Sequence, residues 1–273
     1  MLTPSFRRLS LALGLSLLAS TARAEYWPQP DWQSLPRAES VALAELERYA
    51  FPARDNDERT GVRTDALLVI RDGQVVYEHY AEPTTAQTAH LTWSMAKSLL
   101  ATLLGVSYGE GRFKLDAPAA QYYAAMAVHP QIMIGLLING ASGMDWQEDY
   151  EYAPLKSSVV AMLYTRGRAD MAAFTAAHAA GAAPGTRFRY SSGDSNVLAA
   201  ALRGMVGEQA YADYPWTALF EPLGITSATL ERDASGTFIA SSYAYLSARD
   251  LARVGLLMQR GGRWQQRQLL PAA

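Results

Sequence analysis

The clearest pattern along the chain runs over residues 94–108, where Met95, Ala96, Leu99, Leu100, Leu103, Leu104 and Val106 ring the helical wheel almost completely. A helix that is apolar nearly all round is a buried one. The spacing therefore predicts an interior helix, ended by Gly109 and Gly111. Upstream, the β-rich runs 66–70 and 75–80 flank Asp72-Gly73, a strong hairpin signal. His79 lies on the second run and is expected to face solvent or a sheet neighbour. Residues 41–49 form a short amphipathic pattern. Downstream, Leu115-Asp116-Ala117-Pro118 predicts a helix with Asp116 as its cap and Pro118 in its first turn. The alanine-rich run 171–180 predicts another helix, broken by 181–185, and residues 196–206 a further one after the polar run 191–195. Residues 238–246 have β character, and Ser247-Ala248-Arg249-Asp250 is a capping box opening a helix that ends near Arg260. No repeat or low-complexity linker divides the chain.

Composition narrows the chemistry. Apolar residues make up 49% and charged residues 18% of 273, the balance of a globular domain and not of a disordered tail. A net charge of -2 without a cluster of Lys and Arg gives no footprint for a nucleic-acid partner. The absence of cysteine removes disulfides, thiolate metal sites and cysteine nucleophiles. The four histidines, His79, His90, His129 and His178, show no metal-ligand spacing, so no metal is expected.

The first residues carry a positive pair, Arg7 and Arg8, then an apolar stretch over 9–19 too short to span a bilayer, then Ala22-Arg23-Ala24. This is the pattern of a signal peptide over residues 1–24, with a mature domain over 25–273. The expected location is the bacterial periplasm or the medium, with no lasting membrane anchor after cleavage.

Lys97 is the one charge between Ser94 and Gly109. An ammonium among apolar neighbours is costly unless it is paired, and the common exception is a lysine tuned to act as a base. Ser94 lies three residues earlier, on the same face of the predicted helix and at its start, where the backbone dipole favours developing negative charge. A serine hydroxyl needs a neighbour to take its proton before it attacks a carbonyl. Ser94 and Lys97 supply that pair, although Ser94 as a helix cap and Lys97 reaching to solvent is the competing reading. A second candidate is Tyr190, delivered to a polar loop by the turn at Pro184-Gly185. A phenol beside a lysine can relay a proton to a leaving group, or it can simply pack with its hydroxyl on a carbonyl.

Ser94-xx-Lys97 after Leu91-Thr92-Trp93, Leu115-Asp116-Ala117-Pro118, Leu136-Leu137 before Ala141-Ser142-Gly143-Met144, and Pro184-Gly185-Thr186 leading to Tyr190-Ser191-Ser192 occur here in one order. Together with Ser241-Ser242-Tyr243 before residues 247–251, this order resembles the serine β-lactamase-related hydrolases. It is most similar to their class C β-lactamase, DD-peptidase and esterase branch, and within it to 6-aminohexanoate-dimer hydrolase types. The resemblance implies an α/β (α+β) fold, an antiparallel sheet flanked by helices with an all-helical region beside it. It also implies Ser94 as the acylated nucleophile, Lys97 as its activator and Tyr190 as general base and acid, and such acyl transfer needs no organic cofactor. Ser192 then stands where penicillin-recognising members carry a substrate-binding asparagine, which makes a small ester or amide the expected substrate. The family's Lys- or His-x-Gly strand and its remaining sheet strands lie beyond the position of Ala273, so the expectation is a domain lacking those strands.

One further segment, Asp145-Trp146-Gln147-Glu148-Asp149-Tyr150-Glu151-Tyr152, interleaves carboxylates with aromatics. It is either a solvated loop or a cleft edge where Asp145 and Trp146 meet a cationic substrate group. The functional alternatives left open are a DD-peptidase or β-lactamase, or a non-catalytic remnant that binds without turnover.

Overall fold

A computed structural model describes residues 25–272 apart from Ala38 and Asn56, so the signal peptide expected over residues 1–24 lies outside the described residues. In chain order the helices are α1 (Val41–Ala50), α2 (Ala96–Gly109), α3 (Ile134–Ile138), α4 (Ser158–Tyr164), α5 (Met171–Ala176), α6 (Ser192–Val206), α7 (Glu208–Tyr211), α8 (Glu221–Leu223) and α9 (Ala248–Gln259). The strands are β1 (Ala66–Arg71), β2 (Gln74–Tyr80), β3 (His90–Leu91), β4 (Thr229–Leu230), β5 (Ala244–Leu246), β6 (Arg263–Trp264) and β7 (Arg267–Gln268). All described strand pairs are antiparallel: β1 with β2, β5 between β3 and β4, and β6 with β7. A mostly helical region spans residues 93–223, so the fold is mixed α/β as the resemblance implies.

The β1–β2 hairpin turns on Asp72 and Gly73, both at positive φ, the geometry that makes Asp-Gly a hairpin signal. The main core gathers Leu99, Leu103, Val197, Leu202, Leu246 and Leu257, so α2, α6, β5 and α9 share one apolar interior. A smaller cluster of Trp146, Val159, Met162, Leu163, Met171 and Ile239 sits beside it. The Ser247 hydroxyl caps α9 by accepting from the Asp250 N–H, as the capping box requires. In the first turns of α9, Arg253 pairs with Asp250 and donates to the carbonyls of Pro28 and Pro30, fastening the N-terminal segment.

Four expectations need correction. Helix α2 is not buried all round: Ser94, Lys97, Ser98, Ala101, Gly105 and Tyr108, at helical spacing, form a stripe that is exposed or half-buried. These residues are small or amphipathic, so a wheel dominated by leucine conceals them. No helix starts at Asp116, because Ala117 and Ala119 pair their backbone with Ile134 and Ile132, leaving only 3-10 turns at Ala119–Gln121 and Ala124–Val128. Helix α5 stops at Ala176 because the Ala179 carbonyl accepts from the Asp145 N–H and Ala180 bridges Met144. The polar run 191–195 is not a loop but the buried first turn of α6.

Candidate active site

Antiparallel pairing builds the first half of the site. Leu91 of β3 lies opposite Tyr245 of β5, so the residues after β3 run beside those preceding β5. Thr92 donates both its N–H and its hydroxyl to the Ala244 carbonyl, at 2.8 and 2.9 Å. Trp93 then takes φ +45°, a left-handed conformation costly for a bulky side chain, and opens the 3-10 turn Trp93–Met95 that leads into α2. This bend presents Ser94 to solvent. Neither this turn nor α2 has a side-chain cap, so Ser94 is not serving as one.

Lys97, on the next turn, donates from Nζ to Ser94 Oγ at 3.2 Å and to the Ser241 carbonyl at 2.8 Å. The amine is half-buried at the edge of an open groove instead of sunk in an apolar interior, and the Ser241 carbonyl replaces part of the water it has lost. Tyr190 comes from the opposite side. The Gly185 and Arg189 N–H groups bond the carbonyls of Ala141 and Gly140, laying 185–189 along 140–141. The Lys97 Nζ sits over the Tyr190 ring, 5.0 Å from its centroid, a cation–π contact on a half-exposed phenol. Lys97 and Tyr190 both border a hollow of about 200 Å³ walled by Leu100, Ala101, Ile138 and Phe188.

Sequence reasoning placed three further residues at this site, and the structure separates them. Ser192 is fully buried: its N–H and its hydroxyl both donate to the Glu148 carboxylate. Trp146 is 1% exposed in the smaller apolar cluster, its indole N–H also on Glu148. Neither can meet a substrate as the expectation had it, because Glu148 turns inward and ties both to α6. Asp145 is exposed but faces Arg189, 3.6 Å away, and Arg189 also donates to the Trp146 carbonyl. Asp149 accepts from the N–H groups of Glu151 and Tyr152 within its own loop. Asp145, Glu148 and Asp149 are thus each engaged by protein groups, contrary to a cation-attracting cleft edge.

Several contributors lie outside the site residues that the sequence predicts. The Ser241 carbonyl is a backbone group 144 residues from Lys97 in the sequence. Tyr243, whose ring lies 6.0 Å from that of Trp93, borders the same turn; burial, and then its bond with Tyr164, raises its phenol above the ordinary range. Tyr150 is pushed up to about 12 by burial and by the Glu148 charge. Beneath Tyr190, Asp194 is buried with its Oδ1 accepting from the hydroxyls of Ser142 and Ser191, and burial raises its carboxyl to about 6.

The family model for beta-lactamases matches residues 50–273. The chain is 29% identical over 241 residues to the 6-aminohexanoate-dimer hydrolase of Paenarthrobacter ureafaciens, covering 83% of this chain and 60% of that protein. It therefore spans less than two thirds of the curated relative's length. Among solved structures, one described as a 6-aminohexanoate-dimer hydrolase from Bacillus anthracis superposes with a TM-score of 0.72 at 20% identity, over 91% of this chain and 68% of that one. A penicillin binding protein from Bacillus halodurans gives 0.60 at 15% identity, over 75% and 72% of the two chains. At such identities these structures speak for a shared fold.

Proposed function

Because this chain belongs to the beta-lactamase family, we propose that it is an exported serine hydrolase that cleaves a small ester or amide through an acyl-enzyme on Ser94. The observation that carries this reading is the hydrogen bond of 3.2 Å between Lys97 Nζ and the exposed Ser94 Oγ. In its amine form, Lys97 takes the Ser94 proton as Oγ attacks the substrate carbonyl carbon. The tetrahedral adduct collapses by breaking the ester C–O or amide C–N bond. Tyr190, against the Lys97 ammonium, passes the proton to the departing group. Water, deprotonated through the same two residues, then frees the acid and restores Ser94.

The choice of substrate class rests on Ser192. The penicillin-recognising members that the sequence resembles carry an asparagine there for the amide arm of a β-lactam, whereas Ser192 has no amide and is buried against Glu148. Simple esters and amides make no such demand. The relative from Paenarthrobacter ureafaciens, named for hydrolysis of a 6-aminohexanoate dimer, fits the same class.

A fluorophosphonate probe tests the reading. Covalent label on Ser94, lost in Ser94→Ala and strongly slowed in Lys97→Ala and Tyr190→Phe, supports it. Faster turnover of nitrocefin than of p-nitrophenyl esters would transfer the chain to the β-lactamases. A folded chain that takes no label would be a binding remnant.

A further inference from the structure

The Lys97 ammonium is held at two points, and the second is the carbonyl of Ser241. A carbonyl can hold a cation in place only if its own peptide is fixed. That peptide belongs to the turn over 239–243, where the N–H groups of Ser242 and Tyr243 both bond the Ile239 carbonyl, at 3.1 and 3.0 Å. The Ser241 N–H and hydroxyl point the other way, into the protein. Ser241 is fully buried: its N–H and its hydroxyl both meet the amide of Asn196, and the hydroxyl also lies 3.2 Å from Ser242 Oγ. Asn196 Oδ1 accepts from the Ser241 N–H at 3.3 Å, and its Nδ2 donates to Ser241 Oγ at 3.1 Å.

Asn196 lies in the second turn of α6 and is 1% exposed. Its other neighbours are the sulfur atoms of Met162 and Met171, 3.3 and 3.8 Å from Nδ2, in the smaller apolar cluster. A primary amide in such surroundings costs stability compared with an apolar side chain of its size unless its bonds offset the loss of water. Helix α6 does not need it, since the cap is Ser191. Both amide atoms are instead spent on one residue across the chain, and that residue's carbonyl anchors the lysine.

We propose that Asn196 is a positioning residue of this active site. By gripping the N–H and hydroxyl of Ser241 it aims the Ser241 carbonyl at Lys97, and so keeps Nζ within reach of the Ser94 hydroxyl. This deepens the hydrolase reading and rests on it. The sequence offers no hint of such a role, because Asn196 sits on a different helix from Lys97 and touches neither Lys97 nor Ser94.

The test compares Asn196→Leu, which keeps the volume and removes both bonds, with Asn196→Asp, whose carboxyl group can accept from the Ser241 N–H and from its hydroxyl. Fluorophosphonate labelling of Ser94 and p-nitrophenyl ester kinetics are measured on each, with thermal melting as the check of folding. The leucine variant is expected to label ~10- to 100-fold more slowly, the scale of a misplaced reacting group. That loss should fall on kcat with KM nearly unchanged, while the aspartate variant recovers most of the rate. A purely structural amide would lower the melting temperature and leave the rate per folded molecule alone. If the leucine variant does not fold, Asn196→Ala removes the same bonds with less crowding and is read in the same way. A wild-type chain that takes no label sinks the hydrolase reading itself. A wild type that labels, beside a folded leucine or alanine variant that labels equally fast, sinks the role of Asn196 alone.

Discussion

Two helix N-termini meet at this site, and they use serine in opposite ways. At the start of α2, Ser94 is exposed, carries no cap bond and accepts from a cation. At the start of α6, Ser191 and Ser192 are buried, and their hydroxyls donate to the carboxylates of Asp194 and Glu148. Local propensity treats the two segments alike, since both place small polar residues where a helix begins. What differs is the chain before each. Trp93 at positive φ turns the first serine outward, whereas the extended Ser191 backbone lets its hydroxyl fold back on the Asp194 N–H. One turn is built to be reached by a substrate and the other to hold still.

The widest separation between the two should come from their charged partners. Lys97→Ala removes the only side-chain donor to Ser94 Oγ among the described residues and is expected to slow fluorophosphonate labelling by ~10²–10⁴-fold, the usual worth of a proton acceptor. Its melting temperature should move little, because the side chain is only half-buried. Glu148→Ala should do the reverse. It strips an acceptor from Ser192 N–H, Ser192 Oγ and Trp146 Nε1 in a dry environment, and costs about 3 kcal/mol in urea titrations. Equal stability losses for the two variants would erase the distinction drawn here.

What could be read in the sequence follows the same divide. The hairpin at Asp72-Gly73, the capping box at Ser247 and the pair Ser94 and Lys97 are local patterns, and each signal lies within a few residues of its partner. The burial of Ser192 and Trp146 has no local signal, because their partner, Glu148, is 44 residues from one and its inward turn depends on how the loop packs on α6. Gly193 marks that contact after the fact: a Cβ there would fall 2.6 Å from Thr175 and 2.7 Å from Trp146. The open stripe of α2 is hidden for another reason. Alanine counts as compatible with an interior, so composition alone cannot say that Ala101 faces outward.

Electrostatics gives a third contrast. Burial raises the Asp194 carboxyl to about 6, so the folded chain keeps a proton that the unfolded chain gives up near 4. The folded state binds more protons between those values, and stability falls as pH rises through that window. The full shift corresponds to at most ~2–3 kcal/mol. Asp194→Asn keeps an acceptor for Ser142 and Ser191 without a charge to desolvate. Urea midpoints from pH 4 to 7 should therefore decline less in this variant than in the wild type. Parallel declines would place the titration elsewhere.

The smallest expected effect is also the most direct comparison of the two serines. Ser191→Ala removes the acceptor for the Asp194 N–H and one of the two hydroxyls that donate to Asp194 Oδ1. The loss of an N-cap is worth about 1 kcal/mol. Here the carboxyl group also becomes less well solvated, so its protonated form is favoured further and the cost is greater above pH 6 than below. Ser94→Ala removes no cap and leaves no buried group unpaired, and its stability should stay within about 0.5 kcal/mol of the wild type, as for other exposed sites. Activity should show the opposite order: Ser94→Ala takes no label, whereas Ser191→Ala labels at nearly the wild-type rate per folded molecule. If Ser94→Ala proved as destabilising as Ser191→Ala, its hydroxyl would be structural, and the argument that α2 exposes its serine for chemistry would lose its foundation.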